Sequence, residues 1–415
     1  MRKLTLSAAL LAPALALANG YDVPNTSARD SALAGSATAA QVDAGAVYAN
    51  PAALARLGPG LQLSLSGSIL NLETKWTDTS GTLSPSTATT KKKPVPPVAL
   101  YAAWGFEAGN RPGAVGLGFN VPGGGNVFWD EQWPGRGRIV TVDRKIYGAY
   151  LTAGYEVTKQ LRLGGGLVYY YGTEYLKQGI QPFPETFGEL STKGGALAFD
   201  LAAEVAPFEG VPLGIGVDFK YHGKMKLKGD GHFIDPPPAL VPPSASSPGM
   251  LDQGVTHELP YPSVLNAGAS WKPVPALLLT LGFTYTWYSI YEEDRFVGDR
   301  GMVILVPRNY GNGTTWRLGA EWQASPPLQL RAGVLRDLSG FKTDTYSPTL
   351  PDGNSWVGSV GVGWKAIPDL TVNAALFRAF LDRVTATGSD VLAGSYKTDV
   401  WIATLGISWN TGVGR

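Results

Sequence analysis

From Leu61 onward apolar and polar residues of this chain alternate one by one, the period-two spacing that sets successive side chains on opposite faces of a β-strand. Near the C-terminus Trp401, Ala403, Leu405, Ile407 and Trp409 share one face, and Val400, Ile402, Thr404, Gly406 and Ser408 the other. In 277–288, Leu277, Leu279, Leu281, Phe283, Tyr285 and Trp287 oppose Leu278, Thr280, Gly282, Thr284, Thr286 and Tyr288. Arg162, Asp200, Glu204, Asp218, Lys220, Arg317, Glu321 and Arg331 all fall opposite the apolar face of their segments. A two-sheet sandwich would also segregate charge, but its apolar face would be buried against the second sheet. Aromatic residues at the ends of the apolar face, with small ones between, instead fit girdles around a lipid belt.

The connections point the same way. Counting from Leu61 gives about fourteen strands, near the length that crosses an outer membrane when tilted. Short links (107–112, 156–160, 207–212, 272–275, 323–327, 365–369) alternate with long ones (73–94, 122–138, 173–192, 224–254, 291–314, 338–355, 380–395). Short turns on one side and long loops on the other are the topology of an outer-membrane barrel, and a sandwich has no reason to keep that parity. The predicted fold is therefore all-β, a transmembrane antiparallel barrel over 61–415. The start of the chain agrees: Met1-Arg2-Lys3, an apolar run over 4–17 and Ala16-Leu17-Ala18 read as a secretory leader, 1–18. The run is shorter than the roughly 20 residues a helix needs to span lipid, and no later stretch is longer, so a membrane span here requires a closed barrel.

Composition narrows the chemistry. Only 16% of residues are charged while 44% are hydrophobic, against roughly 25% charged in soluble domains. Lys+Arg 34 against Asp+Glu 33 leaves a net charge of +1, which gives no field for nucleic acid. There are no Cys and three His, His222, His232 and His257, so no disulfide framework, metal site, cofactor or catalytic residue is predicted. A barrel lipase would need a Ser/His pair on one strand face, and none of the three His has a Ser so placed; a G-x-S-x-G elbow is also missing.

Residues 19–60 lack strand alternation and are rich in Ala, Ser and Gly. Asn25-Thr26-Ser27-Ala28-Arg29-Asp30-Ser31-Ala32-Leu33-Ala34-Gly35-Ser36-Ala37, then Asp43-Ala44 and Asn50-Pro51-Ala52-Ala53-Leu54, just before the first strand, resemble the N-terminal hatch of the FadL-type hydrophobic-compound transporters of Gram-negative outer membranes. Leu259-Pro260, Leu330-Arg331-Ala332-Gly333 with Asp337-Leu338-Ser339, and Leu350-Pro351-Asp352-Gly353 before Trp356 continue the resemblance in family order. It implies a monomeric outer-membrane barrel of fourteen strands, plugged by the hatch with Asn50, Pro51 and Ala52 at the gate, that takes up long-chain fatty acids or other hydrophobic molecules. A general porin for polar solutes is the alternative, and a plug of this length argues against the open lumen it needs. The chain departs from the family in its shorter 173–192 stretch, in Thr173 where well-known members carry a basic residue, and in lacking a terminal aromatic.

The third strand, 114–121, runs into Pro122-Gly123-Gly124-Gly125-Asn126. Proline lacks the ladder donor and glycine breaks the pleat, so pairing fails there, whether as an ordinary loop start or as a bulge. The resemblance implies an inward kink that opens a lateral window. Phe119 on that strand, and Phe128, Trp129 and Trp133 beyond it, are candidate contacts for a hydrophobic ligand, since burying an alkyl chain at about 0.8 kcal/mol per CH₂ is the large favourable term available; the alternative for the rings is a headgroup girdle. Arg295, after Glu292-Glu293-Asp294, is the candidate for a ligand carboxylate, with pairing to those acids as the competing role. Lys91-Lys92-Lys93 could meet lipopolysaccharide phosphates or remain solvated.

Overall fold

In the computed structural model residues 27–93, 96–242, 249–388 and 392–411 are described; the leader read at 1–18 and the first residues of the hatch lie outside them. Strand segments follow in order: β1 Gly60–Thr77, β2 Thr87–Thr89, β3 Val98–Ala108, β4 Arg111–Phe128, β5 Thr141–Glu156, β6 Leu161–Gly179 and β7 Phe187–Val205. Then come β8 Leu213–Tyr221, β9 Gly223–Ile234, β10 Gln253–Tyr261, β11 Val264–Val274, β12 Leu277–Thr286, β13 Glu293–Gly298 and β14 Val303–Pro307. The wall finishes with β15 Gly313–Ser325, β16 Leu328–Leu338, β17 Ser355–Ile367, β18 Leu370–Leu381, β19 Val384–Ala386 and β20 Gly394–Asn410. Every neighbour pairs antiparallel, and β20 closes on β1 from Gln62↔Asn410 to Thr77↔Ser395. The wall is a closed barrel of fourteen strands: β9 prolongs β8 past His222, β10 leads into β11, β13 and β14 form a hairpin above β12 and β15, and β2 and β19 cap their neighbours at the long-loop end.

Outward positions carry the belt. Leu117, Leu151, Leu167, Leu197, Leu318, Val360 and Leu405 are exposed. Exposed Trp104, Trp271, Trp322, Trp364 and Trp409 ring the short-turn end, and Tyr169, Tyr221, Trp316, Trp356 and Phe380 ring the other, the two aromatic girdles of a membrane barrel. The strands outrun the sequence expectation at the long-loop end. The third strand, read as 114–121, is Arg111–Phe128, and much of the loops expected at 173–192 and 224–254 is β6, β7, β9 and β10. Above the upper girdle a strand can keep its ladder while its outward face turns polar, so the apolar alternation that marks lipid-facing stretches ends before the strand does.

The N-terminal segment lies inside this wall. Helix α1 Ala28–Ala32 is capped by Ser27, whose Oγ accepts from the Asp30 N–H at 3.1 Å. After α2 Ala46–Ala49 comes a 3-10 turn, Pro51–Arg56: Asn50 Oδ1 accepts from the Ala52 N–H at 3.1 Å, and Pro51 takes the first position, where no donor is needed. Lumen-facing glycines of the wall receive the segment. A Cβ on Gly164 would come within 2.3 Å of the Ala52 nitrogen, one on Gly154 within 2.2 Å of the Pro51 oxygen, and one on Gly333 within 2.5 Å of the Leu33 carbonyl carbon. Main chain therefore packs against main chain where a side chain would push the segment away.

Candidate functional site

Strand β4 loses its regular pairing midway. Its ladder with β3 ends at Ala99↔Asn120, and its register with β5 jumps from Asn120↔Gly148 to Gly123↔Ile146, a bulge at Val121 and Pro122. From Asn120 to Val127 every residue is buried, with no alternation. An in-line strand of this wall alternates lumen and lipid, so unbroken burial means that this stretch has left the lipid surface. On its β3 side the backbone bond found beyond the bulge, among the described residues, is Lys91 N–H to Phe128 O at 2.7 Å.

Above the lumen, at the long-loop end, lies a cavity of about 200 Å³. Its walls are mainly apolar: Val142, Leu176, Leu190, Phe296, Ile304 and Leu350, with Arg144, Asp294 and Arg308 also lining it and Arg138 among the contributing side chains. The charges are held in a buried network. Arg144 donates through Nε to Glu174 at 2.8 Å, His257 Nδ1 meets the other Glu174 oxygen at 2.7 Å, and Arg308 reaches Asp294 at 2.6 Å and Thr349 at 2.6 Å. His257 Nε2 lies 3.3 Å from Asp294. Both arginines thus reach the cavity already matched to carboxylates. Arg138 is exposed and acts electrostatically on Tyr396, with no carboxylate paired to it among the described residues.

Below the cavity the lumen has two unlike sides. Along β3 to β6 it is apolar and aromatic, with Tyr101, Ala103, Ala114, Tyr150, Val168 and Tyr170 buried in one cluster with Val47 and Leu54 of the N-terminal segment. Rings follow one another here: Tyr48 to Tyr150 at 5.4 Å, Tyr150 to Tyr170 at 6.2 Å and Tyr170 to Tyr261 at 5.0 Å. From β7 round to β20 buried polar and charged groups stand among apolar patches such as Leu335, Val357, Phe377 and Ile402. Lys220 bridges Asp200 (3.1 Å) and Asp218 (2.6 Å), Asn266 donates to Asp218 at 3.0 Å, and Arg331 joins Arg29 on Glu321. This side also holds the N-terminal segment by hydrogen bonds: Ser36 to Thr280 at 2.6 Å, Ser270 to Ala39 O at 2.8 Å, Ser359 to Ala32 O at 2.9 Å and Ser408 to Asp43 at 2.6 Å.

The residues expected from sequence fall in different places. Asn50 is fully buried, its Nδ2 donating to Thr38 O at 2.9 Å, and Pro51 and Ala52 start the turn beside the apolar side. Pro122, Gly123, Gly124, Gly125 and Asn126 form the buried break. Phe119 sits just below it on the outer face, stacked on Tyr147 at 6.1 Å. Trp129 and Trp133 do not line the cavity: they stack at 4.1 Å in a closed cluster with Trp76, Tyr346 and Tyr396, and their indole N–H groups are spent on Pro348 O and Ile139 O. Phe128 lies under the Lys93 ammonium at 3.8 Å. Arg295 points outward, exposed, 3.6 Å from Glu293; strand parity turns Asp294 and Phe296 inward instead. The inward cations, Arg144 and Arg308, went unread, although Val142, Arg144 and Ile146 share a lumen face by simple alternation. Lys91 pairs with Asp130 (3.3 Å) and Lys92 with Glu73 (2.9 Å); the Asp130 carboxyl is held below its usual range by the Gln132 N–H and then by Lys91. Of the His, His222 bonds Tyr170 at 2.9 Å and His232 bonds Asp252 at 2.6 Å.

A closed, plugged, doubly girdled barrel is a membrane channel of the Gram-negative outer membrane. The sequence profile of the outer membrane protein transport family OMPP1/FadL/TodX matches residues 9–410, and the chain belongs to that family of hydrophobic-compound transporters. Among solved structures it is similar to a FadL homologue of Pseudomonas aeruginosa (19% identity, TM-score 0.83, covering 94% of this chain and 99% of that one). It also resembles the toluene transporter TodX of P. putida (14%, TM-score 0.76, 94% and 99%) and the Ralstonia pickettii toluene transporter TbuX (14%, 0.68, 92% and 98%). No curated protein sequence matches the chain.

Proposed function

We propose that this chain is a passive channel for neutral hydrophobic small molecules, with residues 27–60 as its hatch. A solute rests in the upper cavity among Leu176, Leu190, Phe296 and Ile304, descends toward the tyrosine-lined side, and leaves sideways into the bilayer at the break in β4, which lies above Val47 and Leu54. The unbroken burial of Asn120 to Val127, beside a β3 that begins only at Val98, carries this reading. A wall strand that leaves the lipid surface, paired with β5 but no longer with β3, removes the barrier on the β3 side, and a nonpolar solute loses nothing on entering lipid. Neutrality follows from the cavity arginines, already matched to Asp294 and Glu174, and agrees with the toluene transport named for two structural relatives. Fatty acids are the second reading, and Arg138, with no carboxylate paired to it among the described residues, favours it: a carboxylate would meet that cation at the cavity.

Uptake of labelled toluene and of a labelled long-chain fatty acid by cells expressing the channel tests this. Replacing Gly123, Gly124 and Gly125 together by Val should restore β-branched strand character and bring toluene uptake to the level of cells without the channel. Unchanged uptake, in barrels that still show the heat-dependent gel shift of a folded protein, sinks the lateral route.

A further inference from the structure

On the outer surface of the wall, just above the upper girdle, four lysines stand together. Lys224, Lys226 and Lys228 alternate along β9 with Met225 and Leu227, which are buried at 1% and 0% exposure, so all three ammonium groups point away from the lumen. Lys193 on β7 is directly opposite Lys228 in the ladder and is exposed too. Lys226 faces Glu258 of β10, and Asp230 follows on β9. Neither carboxylate comes within ion-pair distance: all four lysines are without a side-chain partner among the described residues. Like charges directly opposed on one sheet face destabilise it. Here the opposition sits in a paired interior strand rather than at an exposed edge, where lysine would serve to prevent sheet extension.

Position identifies what would offset that repulsion. Tyr221 ends β8 and stacks on Phe199 of β7 at 4.9 Å, marking the headgroup level on this side of the barrel. The lysines lie beyond both, toward the long-loop end. Successive outward residues of a strand are roughly 6–7 Å apart, so β9 offers a ladder of ammonium groups rising from the lipid boundary. In the outer leaflet of a Gram-negative outer membrane the anions at that height are the phosphates of lipopolysaccharide, and lysine is a good point-charge partner for phosphate. The lysine run in the first outer loop is otherwise engaged, on Asp130, Glu73 and the Phe128 ring.

We propose that Lys193, Lys224, Lys226 and Lys228 form a docking site on the outer wall for the phosphates of lipopolysaccharide. The site is independent of the transport route, from which β7 and β9 separate it.

Binding of bisphosphorylated lipid A to the detergent-solubilised full chain, followed by native mass spectrometry, tests it. Replacing the four lysines together by Gln should weaken binding by about tenfold or more, since each exposed lysine adds a modest, screened attraction to phosphate. Replacing them by Arg should keep binding, and the control Lys91→Gln, Lys92→Gln, Lys93→Gln should leave it unchanged. Enzymatically dephosphorylated lipid A should bind the native chain no better than the Gln variant binds the phosphorylated form. Toluene uptake by the Gln variant should match the native channel, which also certifies its fold. Equal binding of lipid A to the native chain and the Gln variant, equal binding of the dephosphorylated form, or a loss confined to the control variant would each overturn the proposal.

Discussion

The two sides of the lumen hold the same N-terminal segment by different means. Toward β7 to β20 it is fastened by directed bonds: Arg29 to Glu321 at 2.8 Å, Ser36 to Thr280, Ser359 to Ala32 O and Ser408 to Asp43. Toward β3 to β6 Val47 and Leu54 merely pack among Tyr101, Tyr150 and Tyr170, close to Gly116 and Gly118 of the broken strand. Opening the polar side would leave buried donors, acceptors and charges unpaired, at several kcal/mol each. Parting the apolar side forfeits packing that a hydrophobic solute replaces as it passes. On the route proposed above, passage would therefore favour this flank of the barrel, which also contains the break.

A matched pair of added carboxylates tests the contrast most severely. Val168→Asp puts an unpaired charge among Tyr150 and Tyr170, and toluene uptake should fall about tenfold or more with a lower thermal midpoint. Thr284→Asp on the polar side falls within reach of Arg317, which donates to the Thr284 hydroxyl at 2.5 Å, and uptake should hold; equal losses in both variants would erase the distinction. Lys220→Met strips the cation from Asp200 and Asp218, so unfolding in urea should become easier by roughly 3–5 kcal/mol, as when one member of a buried pair is removed, while uptake per folded molecule stays native. Ile304→Ala enlarges the upper cavity and should destabilise its lining by about 2–4 kcal/mol or less, given the incomplete burial there, with a severalfold weaker apparent affinity for toluene. Arg295→Ala, on the outer face with an exposed partner at 3.6 Å, should change neither uptake nor stability by more than about 0.5 kcal/mol.

These contrasts were partly legible in the sequence. Alternation located the wall strands and turned Asp200, Asp218, Lys220, Arg317 and Arg331 inward, because a lipid belt enforces parity on every residue it touches. Pro122 falls in the bulge, as a residue without a ladder donor can, whereas Gly123, Gly124, Gly125 and Asn126, expected to lose their pairing, keep it with β5 and lack it only on the β3 side. Trp129 and Trp133 misled because their partners, Trp76 and Tyr396, are remote in sequence and meet them only when the barrel closes. Arg295 failed by one position: a single step of parity separates an outward arginine from the inward Asp294 that anchors Arg308. The outer strand extensions were missed where the belt no longer enforces apolarity, although Lys224, Met225, Lys226, Leu227 and Lys228 still carry a period of two.

The glycines facing the N-terminal segment also bear on assembly. Gly154, Gly164, Gly319 and Gly333 give their strands no side chain with which to fill the lumen, and glycine is among the poorest strand formers. Inside this barrel the missing side chains are supplied by residues 27–60, so the inserted segment serves as the lumen's core as well as its obstruction. Excising it would leave these glycines facing unfilled space, and the expected product is a wall of lower thermal midpoint rather than a stable open pore.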